Sequence, residues 1–191
     1  MAAYYAWLLW GTGFTTSRAQ AQLRTQIIGQ IEQHDPVPGG GSSVGTSHDG
    51  GPEPIIVAPK EGAPVAIMRI PKIHLDMVVV NGTSTADLEK GPGHYIGTAY
   101  PWERHGAVAI AGHRTTYLHP FWSLDQLRPG DLIRLVTAHG RFDYRVARSI
   151  VIIPSEGWVL RQTVRPTLVL TTCTPRFSAS HRLVVFADRL P

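Results

Sequence analysis

A mainly β domain, an antiparallel barrel or sandwich, is predicted for residues 64–191, and three observations predict it. Short runs rich in Val, Ile and Leu recur between turns that carry Gly, Pro and Asp. In RFDYRVARSIVII, Phe142, Tyr144 and Val146 alternate with Asp143 and Arg145, the period-two mark of a strand with one buried face. Helical pattern inside this region is confined to ADLEKGPG, a brief turn closed by glycine. With 43% hydrophobic and 17% charged residues in 191, the chain can build one core and a single domain of ordinary size with extensions.

The chain opens with MAAYYAWLLWGTGF, an apolar run crowded with Tyr and Trp. Crossing a bilayer takes about 20 apolar residues, so this run does not cross alone. It lacks the basic start and small-residue cleavage site of a signal peptide, and its aromatics suit the membrane–water interface. The expectation is the outer end of a membrane anchor, with an amphipathic docking helix as the alternative. In SRAQAQLRTQIIGQIEQ, Leu23, Ile27 and Ile31 recur at helical spacing, which predicts a juxtamembrane helix and completes a first unit at 1–33. Its stripe suits the β domain, lipid or a second copy equally. Residues 34–63 are loaded with Gly, Pro and Ser, show no periodicity and read as a flexible linker. Strands are then expected at VAIMRI, MVVV, AVAIAG, DLIRLVTA, RFDYRVARSIVII, PTLVLTT and RLVVFAD, with His139-Gly140 turning the central hairpin.

Charge narrows the partners. The formal net charge is +4, and its basic part belongs to residues 64–191, which hold fifteen of the eighteen Lys and Arg. No Lys/Arg cluster with interleaved aromatics and no helix-turn-helix or RNA-binding signature accompanies it, so no nucleic-acid partner is expected, and a polyanionic surface such as lipid headgroups or cell-wall polymer fits the charge equally well.

One cysteine, Cys173, forms no internal disulfide and supplies no multi-cysteine metal site. Packing or chemistry remains. A free cysteine is commonly a small buried hydrophobe. Cys173, however, sits between Thr172 and Thr174 at the end of an apolar strand, where a loop opens and catalytic groups are commonly displayed. A cysteine nucleophile needs a basic or cationic partner, because the thiolate is what attacks. Among nine histidines, His113 in AVAIAGHRTT stands directly after a buried strand, the same kind of position as Cys173. His-x-x-His and similar metal spacings are absent, so neither a zinc site nor any cofactor is expected. Arg182 opens the last strand, on a face it shares with Val184 and Phe186. An arginine on a mostly apolar face calls for an anionic partner, and a guanidinium can donate several hydrogen bonds to an oxyanion.

These residues resemble a sortase, specifically the class E housekeeping type of high-GC Gram-positive bacteria. LTTC resembles the family's Thr-Leu-x-Thr-Cys signature with Val169 in the first Thr position, AGHRTT resembles its histidine motif, and the Cys-x8-Arg spacing places its arginine. The resemblance covers 64–191 and the helix before it. It implies an eight-stranded β-barrel and a membrane-tethered cysteine transpeptidase on the extracellular face. Cys173 would attack the Thr carbonyl of a C-terminal sorting signal of Leu-Ala/Pro-x-Thr-Gly type, and the amine of a lipid-linked peptidoglycan precursor would resolve the thioacyl enzyme. His113 would act as acid and base, and Arg182 would hold the oxyanion or the signal, with the Thr172 hydroxyl beside it. Tyr95 in GPGHYIGTAY matches a tyrosine implicated in signal choice, with Tyr100 as the other candidate. No acidic cluster matches the calcium site of some class A members. Two rivals stand beside this reading: a non-catalytic wall-binding barrel with Cys173 buried, and an L,D-transpeptidase, whose Ser-His-Gly-Cys type of motif is absent.

Overall fold

The computed structural model describes residues 12–34 and 57–191. Most of the expected membrane-anchor end, 1–11, and most of the expected linker, 35–56, lie outside the described residues.

Eight strands close into a barrel. They are β1 (Pro64–Ile70), β2 (Leu75–Asn81), β3 (Gly93–His94), β4 (Ala107–Ala111), β5 (Leu132–Thr137), β6 (Gly140–Ile152), β7 (Thr167–Thr174) and β8 (His181–Arg189), hydrogen-bonded in the order β1-β2-β3-β4-β7-β8-β6-β5, with β5 returning to β1. Seven of these are the strands expected from sequence. The eighth, β3, has two residues, too few to show any alternation. The pairing is not wholly antiparallel: β2 with β3 and β4 with β7 run parallel. Between β4 and β7 the chain passes through the β5–β6 hairpin, the long excursion that parallel neighbours require.

Strand alternation sorts the side chains. Met68, Ile70, Met77, Val79, Val108, Ile110, Leu168, Leu170 and Val185 fill the barrel, with Phe142, Tyr144 and Val146 of β6 among them. Two sets of apolar residues are left on the outside. Ile67, Val78 and Val80 lie on one outer face, and α1 (Thr12–His34) covers them with Leu23 and Ile27, which are 6% and 1% exposed, while Ile31 packs alongside. The barrel is therefore what the helical stripe rests on. Burying Leu23 and Ile27 stabilises this docking by roughly 1.5–3 kcal/mol each, an upper range because unfolded chains are already partly compact. Gln20 fixes the register: its amide donates to Val78 O and Lys90 O (3.0 and 2.7 Å) and accepts from Val78 N (2.7 Å). Gly91, at φ 154°, lets the amide approach, since a Cβ there would collide with Gln20. No described helix is long and apolar enough to cross a membrane.

The other outer set comprises Ala107, Ala109, Val169 and Val184, joined by Ile152 and by Val159 from the β6–β7 loop, with Tyr95 and Phe186 packed at its margin. The functional candidates gather on this face.

Candidate active site

Cys173 and Arg182 are direct cross-strand partners in the antiparallel β7–β8 pair. Opposed residues point to the same side of a sheet with Cβ atoms about 5 Å apart, so thiol and guanidinium share the outer face with Val169, Val184 and Phe186. Cys173 is half-buried. The Arg182 guanidinium uses Nη1 to donate to the carbonyls of Ala179, in the loop between the two strands, and of His181, the first residue of β8 (2.9 and 3.1 Å). Its Nε and Nη2 remain open among the described residues.

His113 arrives from the other flank. β4 runs parallel to β7 up to the pair Ala111 and Thr171. Beyond it Gly112 N donates to Thr171 O at 3.1 Å, and Thr172 Oγ1 donates to Gly112 O at 2.7 Å. These bonds deliver His113 beside the strand end that carries Cys173. Phe121 locks the corner: it is fully buried, donates its N–H to His113 O at 3.1 Å, and lies where a Cβ on Gly112 would meet its ring at 2.6 Å. Only glycine fits there. The His113 Nε2 atom is buried with no partner among the described residues. Such an orphan costs free energy, and a reacting group placed there would satisfy it. Burial is also the main cause that lowers the His113 pKa, with Glu89 opposing it, so the resting imidazole is neutral near pH 7.

Tyr95 belongs to the same face. Its hydroxyl meets Thr171 Oγ1 at 3.0 Å, two residues before Cys173 on the same side of β7. Tyr100 does not: it packs against the barrel core, stacks on Trp102 and donates to Asn81 Oδ1 at 3.2 Å. Thr172 is on the opposite side from the thiol. It is 3% exposed, and its hydroxyl is committed to Gly112, so it braces the histidine corner instead of standing beside a substrate oxyanion. Alternation with Leu170 could have told this in advance. His94 is buried between Asn81 Oδ1 and Ala99 O, each 3.0 Å from a ring nitrogen, and joins β3 to its surroundings.

Three contributors escaped the sequence reading. Arg114, 5% exposed, donates to Trp122 O (3.2 Å) and Cys173 O (3.4 Å) and pairs with Asp125 at 3.1 Å, tying the end of β7 to the loop after His113. Its burial, which lowers its pKa, is offset chiefly by Asp125. Its signal was its place beside His113 in AGHRTT. Glu89 and Tyr117 approach His113 from another side: the tyrosine ring lies 4.9 Å from the imidazole, and its hydroxyl donates to Glu89 Oε1 at 2.8 Å. Neither carried any local signal.

From Cys173 the outer face runs back along β7 to a cleft of about 490 Å³, lined by Val169, Phe186, Trp158, Val159, Arg148 and Arg161 among others. Trp158 stacks over Phe186 (ring centroids 6.3 Å apart), and Arg148 sits 4.2 Å from the centre of the same ring. The site thus combines a thiol, a neutral imidazole, a guanidinium and an apolar cleft with a cationic rim. That set can perform acyl transfer through a covalent intermediate.

Comparison with known proteins agrees. The sortase domain model matches residues 68–190. Sortase D of Bacillus subtilis is 34% identical over 137 residues, 69% of this chain and 67% of that protein. Sortase SrtE1 of Streptomyces coelicolor is 33% identical over 140 residues, 65% of this chain, which spans only 40% of that relative's length. The crystal structure of Sortase E1 from Streptomyces coelicolor with a tripeptide in the active site superposes with a TM-score of 0.64, at 31% identity, over 68% of this chain and 90% of that one. The class E-like resemblance is consistent with these relatives, and the two rival readings give way. By sequence, by fold and by the kind of residues on this face, the chain belongs to the sortase family of cysteine transpeptidases.

Proposed function

We propose that the chain cleaves a sorting signal of Leu-Ala/Pro-x-Thr-Gly type between Thr and Gly and joins the Thr carbonyl to the amine of a lipid-linked peptidoglycan precursor. The observation that supports this reading is that Cys173 faces Arg182 across the β7–β8 pair, with the Gly112–Thr172 bond bringing the His113 corner to the same strand end and an apolar cleft farther along β7. Cys173 transfers its proton to His113, and the thiolate sulfur adds to the Thr carbonyl. Arg182 donates to the oxyanion through the nitrogens its loop does not engage. The C–N bond breaks as the His113 imidazolium gives its proton to the departing glycine amine. The acceptor amine then attacks the thioester, His113 takes a proton from it, and Cys173 is released.

The cleft suits the rest of the signal. Val169 is four residues before Cys173, about 13 Å along an extended strand, and the Leu and Thr of an extended signal are separated by about 10 Å. With Thr at the sulfur, Leu reaches the apolar cleft and Tyr95 lies beside the intervening residues. The reading extends to location: the apolar, aromatic residues at the start of the chain tether it to the membrane, with the barrel on the extracellular side, where secreted substrates and precursor meet.

The test is product analysis of a peptide containing Leu-Ala-Ser-Thr-Gly incubated with the protein and a glycyl amine. Cleavage after Thr, with the amine joined to the Thr carbonyl, supports the proposal. Cleavage elsewhere, or none while a thiol reagent still labels Cys173, overturns the signal assignment. Protease digestion of intact cells tests location: a barrel that resists digestion until the cells are lysed contradicts it.

A further inference from the structure

We infer that Glu89 is a positioning residue for His113, acting through Tyr117. The inference rests on the acid–base role proposed for His113. No hydrogen bond to either imidazole nitrogen is made among the described residues, so the ring is oriented by what packs on it, and Tyr117 does so at 4.9 Å and 35°. Tyr117 is held in turn by its 2.8 Å bond to Glu89 Oε1. The loop that carries it has three successive non-glycine residues at positive φ, Tyr117 (53°), Leu118 (60°) and His119 (38°). Such a conformation persists only where its surroundings over-determine it, and the link to Glu89 is one such constraint.

Glu89 is itself pinned. It directly follows α2 (Thr85–Leu88), which Ser84 caps, and its carbonyl accepts from Thr16 Oγ1 of α1 at 2.7 Å. The next carbonyl, of Lys90, accepts from Gln20. A chain of contacts therefore runs from the docked helix through Glu89 and Tyr117 to the imidazole. Of the charged and titratable groups near this corner, Glu89 after α2 acts on the His113 charge and Tyr117 touches its ring, Arg114 on its own loop is paired to Asp125, and Cys173 on β7 faces Arg182 on β8 at the neighbouring strand end. Glu89 is the one whose charge favours the imidazolium that must form during acyl transfer. A tyrosine clamped between that carboxylate and the ring keeps the ring aimed while its charge changes.

The experiment uses Glu89→Gln, Glu89→Asp and Tyr117→Phe in the full chain, read by kcat and KM on the signal peptide and, in a Cys173→Ala background, by the NMR titration of His113. Glu89→Gln is expected to lower kcat about tenfold with KM nearly unchanged, and to move the His113 titration to lower pH. Glu89→Asp, which keeps the charge, recovers much of both. Tyr117→Phe lowers kcat to a similar extent, and the double variant loses no more than either single one, because the two residues act in series. An unchanged His113 titration in Glu89→Gln, or losses that multiply in the double variant, overturns the inference. The titration needs no peptide, so its outcome stands apart from that of the signal assignment, which fails if the unaltered protein leaves the peptide intact.

Discussion

Two outer faces of the barrel are apolar, and in strand order they lie opposite each other: one centred on β1, the other on β7. Both are built from small and branched residues pointing away from the core, Ile67, Val78 and Val80 on the first, Val169 and Val184 on the second. The first is covered by α1 with side chains from its own sequence. Among the described residues the second is only partly roofed, by the turn at Gly157–Leu160, and keeps a cleft beside Trp158. Apolar surface that is not buried against the chain itself is available to a ligand. On the function proposed above, the same kind of surface gives stability on one side and substrate recognition on the other, and residues on the two sides are expected to fail in different ways.

The largest separation is expected at Cys173. Cys173→Ala removes the proposed nucleophile from a half-buried strand end and is expected to abolish peptide turnover, while thermal unfolding shifts by no more than about 2 °C, since no large cavity opens. A large loss of stability in this variant would mean that the thiol is a packing residue, and the two faces would no longer differ in kind.

Next comes Gly112→Ala. The added Cβ meets Phe121, so the His113 corner must move; turnover is expected to fall at least a hundredfold, because misplacing a reacting group by about 1 Å is enough for that. Near-normal turnover with intact folding would show that the corner tolerates displacement. Trp158→Ala and Ile27→Ala sharpen the contrast further. Trp158 is 40% exposed in the open cleft, and its loss is expected to raise KM for a Leu-bearing peptide about tenfold, the equivalent of part of a leucine's burial, with little change in unfolding. Ile27 is 1% exposed under the covered face, and its truncation is expected to cost about 2 kcal/mol or more in denaturant unfolding while leaving KM unchanged. If the two variants exchange phenotypes, the division of labour is wrong.

The smallest expected effect is on pH dependence. Burial lowers the His113 pKa, so the ring stays neutral down to a pH below its ordinary value of about 6.5. In the proposed mechanism the reacting pair needs one proton shared between thiol and imidazole, and a second proton on His113 stalls it. The acidic limb of kcat/KM is therefore expected below about pH 6.5, with activity falling as pH drops through it. A limb above that value would contradict the burial of the ring.

Much of this molecule was legible from local pattern, and what was not has a common cause. Strands long enough to alternate were read directly, whereas β3, with two residues, left no trace. The parallel union of β4 with β7 was hidden because pairing depends on residues some sixty positions apart, as with Gly112 and Thr172. Cys173, His113 and Arg182 stand out as candidates in the sequence because each stands at a strand end or on the wrong kind of face for its chemistry, and the fold puts the first and last opposite each other. Glu89, Tyr117 and Arg114 do not, because each matters through a neighbour that only the fold supplies. The orientation of Thr172 was available from alternation with Leu170 and was outweighed by its adjacency to the cysteine.

The most direct measurement is the mass of the protein mixed with a Leu-Ala-Ser-Thr-Gly peptide and quenched in acid before an amine is added. The expected result is a mass increase equal to the peptide truncated after Thr, mapped to Cys173 and absent from Cys173→Ala. An unmodified protein that has nonetheless cleaved the peptide, or an adduct on any other residue, would contradict a thioacyl enzyme at this site.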